Sequence, residues 1–217
     1  IRAIETGLVD KILGLLTVSE TYLKKNQNMT LDHAINVAGD CFELAEKAEI
    51  KFIMAMGVTF FCPYQGIIAD EAIFNVVNKL HKKGIRRLYL AASTGMENPI
   101  HISRIFTAVS DRWPDLELGF HMHERTGMAA ANMFAALNAG AKSVEGSICG
   151  IGGGIAMPGG MGDIGNLPTE DIVNMLNRSE LDTGLDTDLI LTTAKKIETI
   201  LNIPSRSFAA RNKDIGV

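Results

Sequence analysis

The chain has 217 residues, 47% of them hydrophobic and 21% charged, which excludes disordered, collagenous and coiled-coil classes and allows one full core. Lys and Arg number 21 against 25 Asp and Glu, a net charge of −4, so no basic excess exists to hold a nucleic acid. Cys41, Cys62 and Cys149 lie far apart and give no disulfide framework, and the longest apolar stretch, 52–62, is about half a membrane span. A cytoplasmic protein without a membrane segment is expected.

Residues 1–8 read as the tail of a helix, and 11–18 (KILGLLTV) as a buried strand. Over 31–48, Leu31, Ala34, Ile35, Ala38, Phe42 and Ala45 fall on one face of a helix. A strand follows over 52–60. Residues 70–83 form a helix with Ile73, Val76, Val77 and Leu80 on one side and Gly84 as its stop. Residues 87–92 are a strand, and 100–113 a helix closed by Pro114. Residues 117–123 are a strand, 127–138 a helix rich in small residues, and 143–149 a strand. Helices over 171–177 and 186–201 end the pattern. Met54, Met56, Met122 and Met133 are expected to fill gaps in the core.

Five strands, each followed by a helix, imply a parallel sheet with helical crossovers. An open doubly wound sheet and an eight-stranded barrel both fit. No GxGxxG or Walker A sequence follows an early strand, which lowers the nucleotide-binding alternative. A whole (β/α)8 TIM barrel takes about 250 residues. The chain therefore reads as an incomplete barrel of about five of the eight units, or one whose remainder is supplied elsewhere. No linker-like tract divides it, so residues 1–217 are expected to form one domain.

Two features carry chemistry. His121 and His123 sit at the end of a predicted strand, and residues i and i+2 of a strand share a face. Both imidazoles can thus serve one metal, or pack together as a core pair; the spacing does not choose the ion. In the segment 150–166 (GIGGGIAMPGGMGDIGN), eight of 17 residues are Gly. It is either a loose connection or an active-site lid, and a structureless loop of that length is uncommon unless functional. His33, His81 and His101 lack paired ligand spacing and are expected on the surface. Cys149 reads as a small buried hydrophobe.

The run GFHMHERTGMAAANMFAALNAGAKSVEGSICGIGGG, followed by GNLPTEDIVNML, resembles the DRE-TIM metallolyases, most of all the hydroxymethylglutaryl-CoA lyases. Cys62-Pro63-Tyr64-Gln65-Gly66 resembles that family's CPYxG, and Ser19-Glu20 with Lys24-Lys25-Asn26 resembles its SE and KKN segment. The resemblance implies that the strands present are about four to eight of the barrel. It also implies that His121, His123 and the Asn166 side-chain oxygen bind a divalent cation, Mg²⁺ or Mn²⁺. The family's first-strand Asp, with its neighbouring Arg and Glu, has no counterpart here. Such a cation suits chelation of a substrate hydroxyl and carbonyl.

The sequence also departs from the family. Gly154 stands where the lyases carry a loop Cys, and Ala91-Ala92-Ser93 where strand six carries an Asp in GDT. The loop after Gly153 is longer than theirs. Arg125 replaces a small polar residue and could meet a substrate carboxylate or phosphate, or pair with Glu124. Lys24 and Lys25 could meet acyl-CoA phosphates or simply face solvent. The resemblance implies a metal-dependent carbon–carbon lyase acting on a 3-hydroxyacyl-CoA or related hydroxy acid other than hydroxymethylglutaryl-CoA. A Claisen-condensing synthase of the isopropylmalate or homocitrate type and a catalytically silent barrel are the alternatives. A homo-oligomer, most simply a dimer, is expected.

Overall fold

Chain order and spatial order coincide in the sheet. The computed structural model describes residues 1–153 and 165–211. A short helix α1 (Arg2–Glu5) precedes β1 (Lys11–Thr17), which α2 (Glu20–Gln27) and α3 (Leu31–Lys47) connect to β2 (Lys51–Gly57). A hairpin of β3 (Phe61–Cys62) and β4 (Gly66–Ile67) leads to α4 (Asp70–Lys82), β5 (Arg87–Ala92) and α5 (Pro99–Arg112). Next come β6 (Glu117–Glu124), α6 (Ala129–Asn138) and β7 (Ser143–Glu145). The short β8 (Gly165–Asn166), α7 (Thr169–Arg178), α8 (Thr187–Leu201) and α9 (Phe208–Arg211) complete the order.

The sheet runs β1-β2-β5-β6-β7 with every pair parallel. The order never reverses, as an open doubly wound sheet requires. The architecture is therefore a partial barrel, and all five predicted parallel strands are present. Local signals start the helices: the Thr30 hydroxyl caps α3 at His33, the Asn98 side chain caps α5 at His101 ahead of Pro99, and Asp186 caps α8 at Leu189.

Strand alternation separates core from barrel interior. On β6, Leu118, Phe120 and Met122 are buried against the helices. Phe120 stands edge-on to Phe106, with ring centroids 5.6 Å apart. The intervening residues, Gly119, His121 and His123, face the other side. The four methionines expected in the core are all buried.

Several expectations are corrected. The strand expected over 143–149 stops at Glu145; Cys149 takes φ 59° within a 3₁₀ turn, Ile148–Gly150, which a strand cannot contain. His101 is buried, not superficial. Its Nε2 lies 3.5 Å from Asp70 and its ring meets Phe60 edge-on, and burial pushes its pKa down. His81 is half-buried and bonds Asp115 at 2.9 Å. Only His33 of the three is exposed. Helix α2 was not predicted, because its polar sequence shows little amphipathic patterning.

Candidate metal centre

The register of three strands assembles the site. Ala91 of β5, His121 of β6 and Glu145 of β7 are Cα partners at one level of the sheet. His121 and His123 project from the C-terminal end of β6 into a cavity of about 260 Å³. Its walls include Leu13, Leu15, Ala55, Val58 and Ser93. The two Nε2 atoms stand 3.2 Å apart. Two ligands about 2.1 Å from one octahedral cation stand about 3 Å apart, so the imidazoles fit a shared ion. His121 Nδ1 lies 3.3 Å from Glu145 Oε2.

Asn166 reaches this pair through an antiparallel contact. After the glycine-rich segment the chain returns as β8 and pairs with β6, His123 opposite Asn166. Asn166 Nδ2 donates to Ile151 O at 2.8 Å, which fixes the amide. Its Oδ1 is buried without a hydrogen-bond partner among the described residues. A buried acceptor without a donor is costly, and a cation beside two imidazoles would satisfy it. Gly152, at φ +118°, makes the approach possible: a Cβ there would stand 2.5 Å from Asn166 Nδ2. Two histidines and an amide oxygen do not complete a cage, and among the described residues no group of three His, Cys, Asp or Glu could hold a metal ion. Gly154 and the rest of the expected lid, 154–164, lie outside the described residues.

The expected substrate contacts are placed apart from one another. Arg125 is exposed and lines a neighbouring cavity of about 700 Å³ together with Asn166, Arg178 and Arg206. It does not pair with Glu124, whose carboxylate accepts from the N–H groups of Gly127 and Ala129 at the start of α6. Lys24 and Lys25 are exposed on α2 and line neither cavity. Lys24 bonds Asn28 at 2.8 Å, and Lys25 lies 5.0 Å from the Tyr64 ring centre. The same helix does turn Tyr22 and Asn26 into the histidine-lined cavity.

Ser19 joins the two shorter motifs. It caps α2 by accepting from Tyr22 N–H, donates to Gln65 Oε1, and stands 3.1 Å from Cys62 Sγ. Cys149 is buried as expected; its thiol donates to Ala194 O, and burial pushes its pKa up. Sequence reasoning missed Glu145 and Glu170. Glu170 is fully buried and accepts the Cys149 N–H with both oxygens, at 2.9 and 3.1 Å, anchoring the turn that begins the glycine-rich segment. The signal for Glu145 was its place on the strand next to the HxH strand; Glu170 stands just ahead of the predicted helix, and its partner, the Cys149 N–H, lies 21 residues away in the chain.

The parallel partial barrel places the chain in the TIM-barrel class of the hydroxymethylglutaryl-CoA lyases. The chain belongs to the HMGL-like family, whose pattern matches residues 2–197. It is 30% identical over 208 residues to the hydroxymethylglutaryl-CoA lyase YngG of Bacillus subtilis, covering 95% of this chain and 68% of that protein. The crystal structure of the Bacillus subtilis HMG-CoA lyase superposes with a TM-score of 0.90 at 29% identity, over 98% of this chain and 72% of that one. An HMG-CoA lyase from Acinetobacter baumannii, in complex with coenzyme A and 3-methylmalate, gives 0.88 at 29% identity, over 97% and 67%. The chain spans 59–68% of the length of the first three curated relatives. Among the described residues no helix is long and apolar enough to cross a membrane.

Proposed function

We propose that residues 1–217 form a single domain supplying strands four to eight of a divalent-metal-dependent carbon–carbon lyase. Its substrate is a 3-hydroxyacyl-CoA or related hydroxy acid. The observations that carry this reading are the 3.2 Å approach of His121 Nε2 to His123 Nε2 and the unpartnered Asn166 Oδ1 on the residue paired opposite His123. An octahedral site mixing nitrogen and oxygen donors suits Mg²⁺ or Mn²⁺. When bound, such a cation supplies Lewis acidity towards a hydroxyl and a developing enolate.

The chain's own residues do the rest. His121 and His123 present their imidazole Nε2 atoms from a rigid strand. The buried apolar residues Ala55 and Val58 in the cavity wall limit water beside the reacting carbons. Arg125, in the cavity next door, meets a substrate carboxylate or phosphate, while Lys24 and Lys25, exposed on α2 outside both cavities, are further cations available to acyl-CoA phosphates. Gly154 and Ala92, in place of the family's Cys and Asp, favour an acyl group other than hydroxymethylglutaryl. The junction of Ser19 with the Cys62–Gln65 motif favours the lyase over the condensing alternative. The working form is a homodimer, and the three free cysteines fit a reducing cytoplasm.

The test is an assay of the full-length protein with Mg²⁺ or Mn²⁺ against a panel of 3-hydroxyacyl-CoAs, with products identified by mass spectrometry. Cation-dependent carbon–carbon cleavage is expected. Condensation of an acyl-CoA with a 2-oxo acid would replace the lyase reading by the synthase one, and inactivity throughout would leave the silent barrel.

A further inference from the structure

We propose that Glu145 is the positioning residue of the metal centre, holding His121 in the tautomer that offers its Nε2 lone pair to the cation. This rests on the metal reading above and adds a residue to it. His121 and Glu145 are direct partners in the parallel pairing of β6 and β7, so both side chains leave the sheet on one face and line the same cavity. Glu145 Oε2 stands 3.3 Å from His121 Nδ1, the ring nitrogen turned away from His123. Among the described residues the Glu145 carboxylate forms no other ion pair.

The chemistry follows from the two nitrogens of a neutral imidazole. One carries the proton and the other a lone pair, and the partner of the first decides which is which. A carboxylate at Nδ1 keeps the proton there. Nε2 is then an acceptor, and at 3.2 Å from His123 Nε2 it is placed to accept a hydrogen bond from that ring in the metal-free protein. A carboxylate behind a ligating histidine also raises the basicity of the coordinating nitrogen and fixes the ring plane. Removing such a partner lowers metal affinity by about 10–100-fold.

The experiment compares the full-length protein with its Glu145→Ala and Glu145→Gln variants. Mn²⁺ affinity is measured by calorimetry, and the metal-free His121 tautomer by long-range ¹⁵N–¹H spectra at a pH where the ring is neutral. In the wild type His121 is expected as the Nδ1–H tautomer and one Mn²⁺ binds. Glu145→Ala is expected to mix the tautomers and weaken Mn²⁺ about 10–100-fold, with the metal-free melting temperature unchanged. Glu145→Gln, whose amide oxygen can accept from Nδ1–H, keeps the tautomer and recovers part of the affinity; it also serves if the alanine variant does not fold. Wild-type affinity in Glu145→Ala, or an Nε2–H tautomer in the wild type, overturns the proposal while leaving the metal reading intact. A wild-type protein that binds no Mn²⁺ overturns both.

Discussion

His123 and Asn166 face each other across the antiparallel contact between β6 and β8, though 43 residues of chain separate them (166 minus 123). The glycine-rich segment thus ends by adding a short strand to the strand that carries both histidines. Asn166 Oδ1 is buried there without a partner, while its Nδ2 is tied to Ile151 O. His121→Ala or His123→Ala is expected to abolish Mn²⁺ binding by calorimetry in the full-length protein. Asn166→Ala is expected to weaken binding without abolishing it, since two nitrogen ligands remain. Unchanged affinity in all three variants would defeat the site.

Glu97 predicts a pH dependence of stability. It is buried beside α6, with Oε1 accepting from Thr94 N–H and Oγ1–H, and Oε2 without a partner among the described residues. Burial pushes its pKa above the ordinary 4.5. A carboxyl with a raised folded-state pKa favours the fold in its protonated form. That contribution is fully present below about pH 4.5 and is lost as pH rises through the folded-state value. Glu97→Gln is therefore expected to be more stable than wild type at pH 8, by urea unfolding, with the difference closing towards pH 4.5. A constant difference across that range would show that ionisation of Glu97 is not what costs stability.

Gly119 is a steric requirement of the barrel interior. A Cβ there would run into the Tyr89 ring and stand 2.7 Å from Ser143 Oγ, and those two side chains are themselves bonded at 3.1 Å. Gly119→Ala must push apart groups on both flanking strands, at a cost of about 1–3 kcal/mol. The urea midpoint should fall with little change in slope. A midpoint equal to wild type would mean that Tyr89 swings aside freely.

The parallel strands and their order were readable because each buries one face in a strict period, as Leu118, Phe120 and Met122 do on β6. The histidine pair was readable for the same reason, as the complementary face of that strand. What the sequence hid depends on partners distant in the chain. Glu145 meets His121 only because β7 pairs in register with β6, whereas Asn166, already implied as a ligand by the family resemblance, is brought opposite His123 by the pairing of β8 with β6. The hairpin of β3 and β4 consists of two-residue strands, too short for a period to show. The end of β7 was overrun because Ile148 and Cys149 continue an apolar run, while the Glu170 carboxylate captures the Cys149 N–H and turns the backbone. His101 looked like a surface residue of α5 because nothing local announces that Phe60 and Asp70 pack against it.

The edge of the sheet predicts association. Among the described residues β1 pairs only with β2, and its Leu13 and Leu15 side chains are 53% and 56% exposed. An exposed apolar strand with unpaired N–H and C=O groups recruits another chain. A preparation of residues 1–217 is expected to sediment as a dimer or larger, shifting with concentration, and Leu13→Glu with Leu15→Glu should move it towards monomer. A wild-type preparation that stays monomeric as concentration rises would remove the edge as an interface.

The last prediction concerns Gly154. The lyases that this sequence resembles place a cysteine there, and protonating a departing enolate needs a proton donor, which glycine cannot be. Positioned acid–base groups contribute about 10²–10⁴-fold. Cys149 does not replace the missing thiol, because it is buried, donates to Ala194 O and has its pKa pushed up by burial. The full-length, Mg²⁺- or Mn²⁺-loaded protein is therefore expected to cleave hydroxymethylglutaryl-CoA slowly, below the ordinary enzymatic range of about 1–10³ s⁻¹. Gly154→Cys is expected to raise that rate, while Gly154→Ser, whose hydroxyl is a far weaker acid, is not. The measurement is steady-state turnover beside a panel of other 3-hydroxyacyl-CoAs. Ordinary turnover of hydroxymethylglutaryl-CoA by the wild type would show that another group supplies the proton and that Gly154 marks no change of substrate.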